Sequence, residues 1–196
     1  MSAKQGLFAG TLRVLAAIGA VMTLMNGTAA AHDGPLTVEL TSDVPPRCGF
    51  VGGSLSGQSS TPDLEQPARF DIRVKLDCNT PFAFGIVADR GQLTNLDASP
   101  DGSSFAFAKP YRVSVALDTD KGTIRSDRCL STDLVIGGSC SFAADAPGAG
   151  LSSRRGIAIN RDAVLTVEWP DQSTMGNRLA AGRYRDTITM VVGPRA

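Results

Sequence analysis

Nucleophile activation and proton transfer at neutral pH most often use histidine, and this chain of 196 residues holds one, His32. No G-x-S-x-G sequence accompanies it, so a Ser-His-Asp arrangement has neither its elbow nor a well-placed imidazole. A histidine at a mature N-terminus can chelate copper through its amine and ring. Such a site needs a second histidine, and the favoured reading of His32 is an exposed terminus. Asp118-Thr119-Asp120-Lys121-Gly122 has the opening spacing of a calcium loop, but the twelfth position, which should be a bidentate glutamate, is Cys129. A turn at a strand end is the better expectation. Sixteen aspartates and three glutamates (Glu39, Glu65 and Glu168) are scattered, and no two stand out as a glycosidase pair. Trp169 and most phenylalanines fit strand patterns and are expected in a core. The chain reads as no enzyme, with no cofactor or metal.

Cysteine chemistry depends on compartment. Lys4 and Arg13 precede an apolar run from Val14 to Met25, followed by Thr28-Ala29-Ala30-Ala31. This is the pattern of a secretory signal peptide over residues 1–31, cleaved between Ala31 and His32. Cys48, Cys78, Cys129 and Cys140 all lie beyond it, and an even count in an oxidising compartment reads as two disulfides. Three pairings are possible; the spacing favours Cys48–Cys78 and Cys129–Cys140. Zinc is disfavoured, since there is no C-x-x-C and the only histidine is His32. The mature chain of 165 residues holds 17 basic and 19 acidic side chains, which gives no basic field for nucleic acid.

The elements that must position these residues are short alternating runs. Leu36, Val38 and Leu40 alternate with polar residues; so do Phe70, Ile72, Val74 and Leu76; so do Tyr111, Val113, Val115 and Leu117. Ala163, Leu165, Val167 and Trp169 repeat the pattern, and Pro81–Asp89 is a more continuous apolar strand. Residues 129–140 predict a short strand or hairpin inside a disulfide. Gly/Ser/Pro/Asp-rich stretches at 52–67, 89–104, 143–153 and 170–182 predict loops. The last strand carries Ile188, Met190 and Val192 on one face. With no amphipathic helix, the pattern predicts one all-β sandwich domain.

The closing Ala181-Gly182-x-Tyr184-x-Asp186-Thr187-Ile188-Thr189 resembles the A-G-x-Y-x-D-T-[VI]-T signature of the spore coat protein U-like domains, a family that includes the pilins of archaic chaperone–usher pili. Cys48 and Cys78 fit that family's first cysteine pair, and Leu36–Leu40 sits where its N-terminal extension sits. The match covers nearly all of the mature chain, by motif at the C-terminus and by pattern elsewhere; Cys129 and Cys140 have no counterpart in it. The resemblance implies an incomplete immunoglobulin-like β-sandwich over residues 48–196 that lacks its last strand. An extension over residues 32–47 would act as donor strand. Leu36, Val38 and Leu40 would be donor side chains, and Ile188, Met190 and Val192 would line an acceptor groove. The implied function is a structural subunit of a surface pilus or fimbria assembled by donor-strand exchange. Its partners would be other pilus subunits, a periplasmic chaperone and an outer-membrane usher, and its route would run through the periplasm to a cell-surface fimbrium. The alternative is a self-contained secreted β-sandwich that binds a ligand, its N-terminal strand inserted in cis. Pro45-Pro46, which stiffens the exit and lacks two N–H donors, favours an extension held away from its own domain.

Overall fold

Side chains alternate faces along a strand, so the run Phe70–Leu76 must bury one face and expose the charges of the other. In the computed structural model this run lies within a sheet of six strands, where Val74 and Leu76 are buried and Phe70 half-buried, while Ile72 stays 38% exposed. The structure describes residues 37–52 and 63–195; the signal peptide, the Ala31–His32 cleavage point and Leu36 lie outside the described residues. The chain divides into two units, Met1–Ser42 and Asp43–Ala196. In the first, residues 37–42 are exposed and belong to no strand. The strand expected at Leu36–Leu40 is therefore absent over its described part. Alternation alone does not fix an extended backbone whose N–H and C=O groups have water as partner.

The second unit contains β1 (Cys48–Phe50), β2 (Ala68–Cys78), β3 (Phe82–Ala88), β4 (Leu93–Asn95), β5 (Ala108–Lys109), β6 (Arg112–Thr119), β7 (Gly122–Arg125), β8 (Cys129–Leu130), β9 (Leu151–Ser152), β10 (Ala158–Trp169), β11 (Tyr184–Arg185) and β12 (Ile188–Pro194). Among the described residues these form three antiparallel sheets, so the fold is all-β. The largest runs β1-β2-β10-β6-β7 with β8 beside β6; the others run β11-β4-β5 and β12-β3-β9. Strand β10 is the spine of the large sheet, paired with β2 from Ala158↔Cys78 to Trp169↔Ala68 and with β6 from Ala163↔Leu117 to Glu168↔Arg112. Its register shifts once, at Asn160, which takes a positive φ of 51°. Asparagine tolerates that left-handed conformation, and the extra residue makes a bulge.

One core joins two sheets. Val74 and Leu76 of β2, Val113, Val115 and Leu117 of β6, and Leu165 and Trp169 of β10 meet Phe82, Phe84 and Ile86 of β3 in a single cluster. Trp169 packs on Phe70, ring centroids 5.1 Å apart, and its indole N–H donates to Gln66 O at 3.0 Å, as the core reading of this residue requires. Strand β3 is buried on both faces: its outer face is roofed by the segment after Cys140, so tightly that a Cβ on Gly85 would lie 2.5 Å from Ala144 O. The continuous apolar run has this cause.

The expected loops hold more structure than their composition implies. Strands β4 and β9 lie within the 89–104 and 143–153 stretches, because two- and three-residue pairings need no apolar alternation. The 129–140 stretch is no hairpin. It is β8, a 3-10 turn at Ser131–Asp133 and a turn-rich return, anchored by the fully buried Leu134. Asp118–Gly122 forms the β6–β7 connection, where Thr119 Oγ1 donates to Gly122 O at 2.7 Å and Asp120 Oδ1 accepts from Ile157 N at 2.8 Å.

Both favoured disulfides are formed, Cys48–Cys78 and Cys129–Cys140, with sequence separations of 30 and 11. Loop-closure entropy assigns them about 3.6 and about 2.8 kcal/mol. Removing the Cys48–Cys78 pair by paired Cys→Ser substitution is therefore expected to lower stability by about 1 kcal/mol more than removing the other pair. Urea midpoints of the two double variants check this ordering.

Candidate functional site

Strand β12 is paired on one side only. Its ladder with β3 runs from Ile188↔Ala88 to Pro194↔Phe82, and among the described residues no strand occupies its other edge. The register puts Ile188, Met190 and Val192 on the face shared with Ala88, Ile86 and Phe84, which points them into the core. Yet they are only half-buried, while those three β3 partners are 3%, 0% and 1% exposed. The structure thus brings together the three residues singled out at the C-terminus as an apolar row at an open sheet edge. On the opposite sheet, β1 approaches this edge. Its Phe50 is half-buried and meets Phe84 edge to face at 6.1 Å. Among the described residues the row between β1 and β12 is an apolar seam beside a sheet edge that carries no further strand, the feature that makes an edge a template for one.

The residues of the closing motif hold this edge in place. Tyr111, buried just before β6, donates its hydroxyl to Asp186 Oδ2 at 2.8 Å. Asp186 Oδ1 accepts from Arg90 N at 3.0 Å and Thr187 N at 2.8 Å. Burial, and then the Asp186 carboxylate, push the Tyr111 phenol well above its ordinary range, so it remains a donor. The Tyr184 hydroxyl lies 2.7 Å from Ala180 O, to which it donates, and 3.2 Å from Ala106 O. Asn95 Nδ2 donates to Ala181 O at 3.1 Å, and Asn95 Oδ1 accepts from Asp97 N and Ala98 N. Gly182 sits against that amide with φ of 148°, and a Cβ there would lie 2.5 Å from Asn95 Oδ1. Asn95 was invisible in the sequence, a polar residue in a loop-like stretch. Its only signal was the glycine it requires 87 positions later.

Two exposed carboxylates fasten the approach. Glu65 binds the Arg178 guanidinium and accepts from Leu179 N at 3.1 Å. Asp97 accepts from Arg183 N at 2.7 Å and Arg183 Nη2 at 2.7 Å. The arginine beside each holds its carboxyl below the ordinary value of 4.5 for Glu65 and 3.8 for Asp97. At the other end of the domain Asn79 fixes the root of the extension. Its Oδ1 accepts from Arg47 N at 2.8 Å, and its Nδ2 donates to Pro45 O at 3.1 Å. Val38, Leu40 and Val44 are 67%, 92% and 78% exposed; Leu36 and His32 lie outside the described residues.

Glu168, the acid at one surface depression, is paired with Arg69 and Arg128. No group of three or more His, Cys, Asp or Glu among the described residues is placed to hold a metal. No family model matches the chain, and no curated protein matches it.

Tyr111→Phe leaves Asp186 Oδ2 without its partner and is expected to cost about 2 kcal/mol. Gly182→Ala, forced against Asn95, is expected to cost about 1–3 kcal/mol; urea midpoints of the full chain measure both. A carboxylate whose pKa is depressed on folding contributes stability above its unfolded pKa and loses it as pH falls through the folded value. Acidification below about pH 4 should therefore release the Glu65 and Asp97 fastenings. The drop in Tm between pH 6 and pH 3 should be smaller in a Glu65→Gln, Asp97→Asn double variant than in the parent.

Proposed function

We propose that this protein is a secreted structural subunit of a surface fibre, assembled by donor-strand exchange through a chaperone–usher pathway. In this reading residues 48–196 form an immunoglobulin-like sandwich lacking its last strand, similar to the pilins of the spore coat protein U-like group. The observation that carries the reading is the half-buried row Ile188, Met190 and Val192 on an edge of β12 that is unpaired among the described residues, in a chain where Val38 and Leu40 belong to no strand. A donor strand supplies what that edge lacks: ladder partners for its N–H and C=O groups and apolar cover for its row. Leu36, Val38 and Leu40 from a neighbouring copy are that cover.

The same edge, before assembly, is the place where a periplasmic chaperone would lend a strand, and an outer-membrane usher would then exchange it for the next subunit's extension. The cis alternative expects a strand at 36–40. Pro45-Pro46, which lacks two N–H donors between that segment and the domain, favours insertion in trans. The protein acts here by assembly rather than catalysis, travelling through the periplasm to a fimbrium, with other subunits as partners.

The exported protein, run on a denaturing gel without boiling, should give a ladder that collapses to one band on heating. Val38→Asp spoils the donor and Met190→Asp the acceptor, because each would bury an unpaired carboxylate. Either alone should cut polymer by about 100-fold, on the order of 3 kcal/mol. Mixed together, the two variants should yield a dimer and nothing longer, since one intact donor and one intact groove remain. Monomer bands in every lane, from a protein soluble without a chaperone, would instead mean that the strand closes its own fold.

A further inference from the structure

Four charges stand at matching sequence distances from the two apolar triads. In the extension, Asp33 lies three residues before Leu36 and Asp43 three residues after Leu40. At the edge, Arg185 lies three residues before Ile188 and Arg195 three after Val192. Odd spacing places each charge on the face opposite its triad, so all four point to solvent when the triads point to the core. Asp43, Arg185 and Arg195 are exposed, and none has a side-chain ion pair among the described residues; Asp33 enters by its sequence position alone. The neighbouring charges are already committed: Arg183 to Asp97, Asp186 to Tyr111 and Arg90 N, Arg47 to Asp77. The extension carries three acids against one arginine. Removing these from the mature counts leaves sixteen of each sign in the rest of the chain.

Building on the fibre reading, we infer that these charges set the register in which residues 33–43 of a second copy of this chain seat antiparallel along β12, Asp43 beside Arg185 and Asp33 beside Arg195. With Val38 opposite Met190, this register sets Leu36 opposite Val192 and Leu40 opposite Ile188. It also sets Glu39 beside the exposed Thr189, whose hydroxyl can donate to it. The parallel arrangement would put Glu39 beside the half-buried Val191 instead. A slip of one residue turns every apolar side chain outward and is excluded by burial. A slip of two keeps the faces and loses only one of three apolar contacts, so hydrophobic burial discriminates against it weakly. Paired charges at both ends penalise that slip, because it moves both aspartates away from their arginines. Arg185 precedes β12 on β11, and its long flexible stem spans the step between them. Arg195 is steadied by its N–H donating to Pro81 O at 2.9 Å.

The test uses the full mature chain carrying Val38→Asp, so that its own extension cannot fill the edge, refolded from urea with a fluorescent synthetic peptide of residues 33–43. Binding is read by anisotropy. At low salt, Asp43→Arg in the peptide should weaken binding by about fivefold. Arg185→Asp in the protein should restore it and Arg195→Asp should not. Asp33→Arg should be restored by Arg195→Asp alone. All these differences should vanish at 1 M salt, where exposed pairs are screened. Wild-type peptide that binds with no response to either reversal overturns the charge register and leaves the fibre reading standing. Rescue in the crossed sense, Asp43→Arg by Arg195→Asp, overturns the antiparallel placement. Absence of binding by the wild-type peptide overturns this inference together with the reading on which it rests.

Discussion

The ladder between β12 and β3 is the constraint on which the rest of this structure depends. It is the only pairing of β12 among the described residues, and it joins the C-terminal strand to the most deeply buried strand of the domain. Because β3 is covered on its outer face and β12 lies at the sheet's edge, the inner face of the pair is sealed on one side and open on the other. Covering apolar surface stabilises by about 25 cal/mol per Å². Ile188, Met190 and Val192 therefore carry unrealised stabilisation that any strand laid beside β12 would collect. A donor of five residues gains roughly 5–9 kcal/mol from three buried aliphatic side chains. It loses a comparable amount, about 1–2 kcal/mol per residue, in backbone freedom. The balance between these two is close to zero, so the cover given to the acceptor's own row decides whether the strand stays.

An edge left open must still be held flat and in register, or it would twist away or collapse onto its own core. This explains why the closing motif carries so many side chain–backbone bonds. Asp186 ties the start of β12 to Arg90 N and to the Tyr111 hydroxyl, linking the three-stranded sheet to the segment that leads into β6. Tyr184, Gly182 and Ala181 fasten the preceding segment to Asn95 and Ala106. Their work is positional: they stiffen the strand that the row sits on, so that its exposed ladder stays extended.

Much of this architecture was legible in the sequence, for a physical reason. Strands β2, β6 and β10 bury one face, so alternation marks Val74, Val113 and Leu165 as core, and β3 is buried on both faces, so it reads as a continuous apolar run. The disulfides followed from spacing. What alternation could not mark were β4, β9 and β11, which are held by tertiary hydrogen bonds from residues such as Asn95 and need no apolar period. The row at Ile188, Met190 and Val192 was legible as a strand face, but its half-burial follows from the place of β12 at a sheet edge, which no local pattern encodes. The same limit applied at the other end. Leu36–Leu40 has the alternation of a strand, and residues 37–40 adopt none, because periodicity reports what a segment can pair with and not whether a partner is present.

These two exceptions are of one kind. Among the described residues, β12 lacks a second neighbour and Val38 and Leu40 belong to no strand. Both segments carry the same spacing of three apolar side chains at every second position. Asn79 and Pro45-Pro46 bear on how they meet. The former clamps the backbone of residues 45 and 47, and the latter removes two N–H donors, so the chain between triad and domain is stiffened at its root. Under the fibre reading proposed above, the two places that local pattern leaves incomplete would complete one another between copies of the chain.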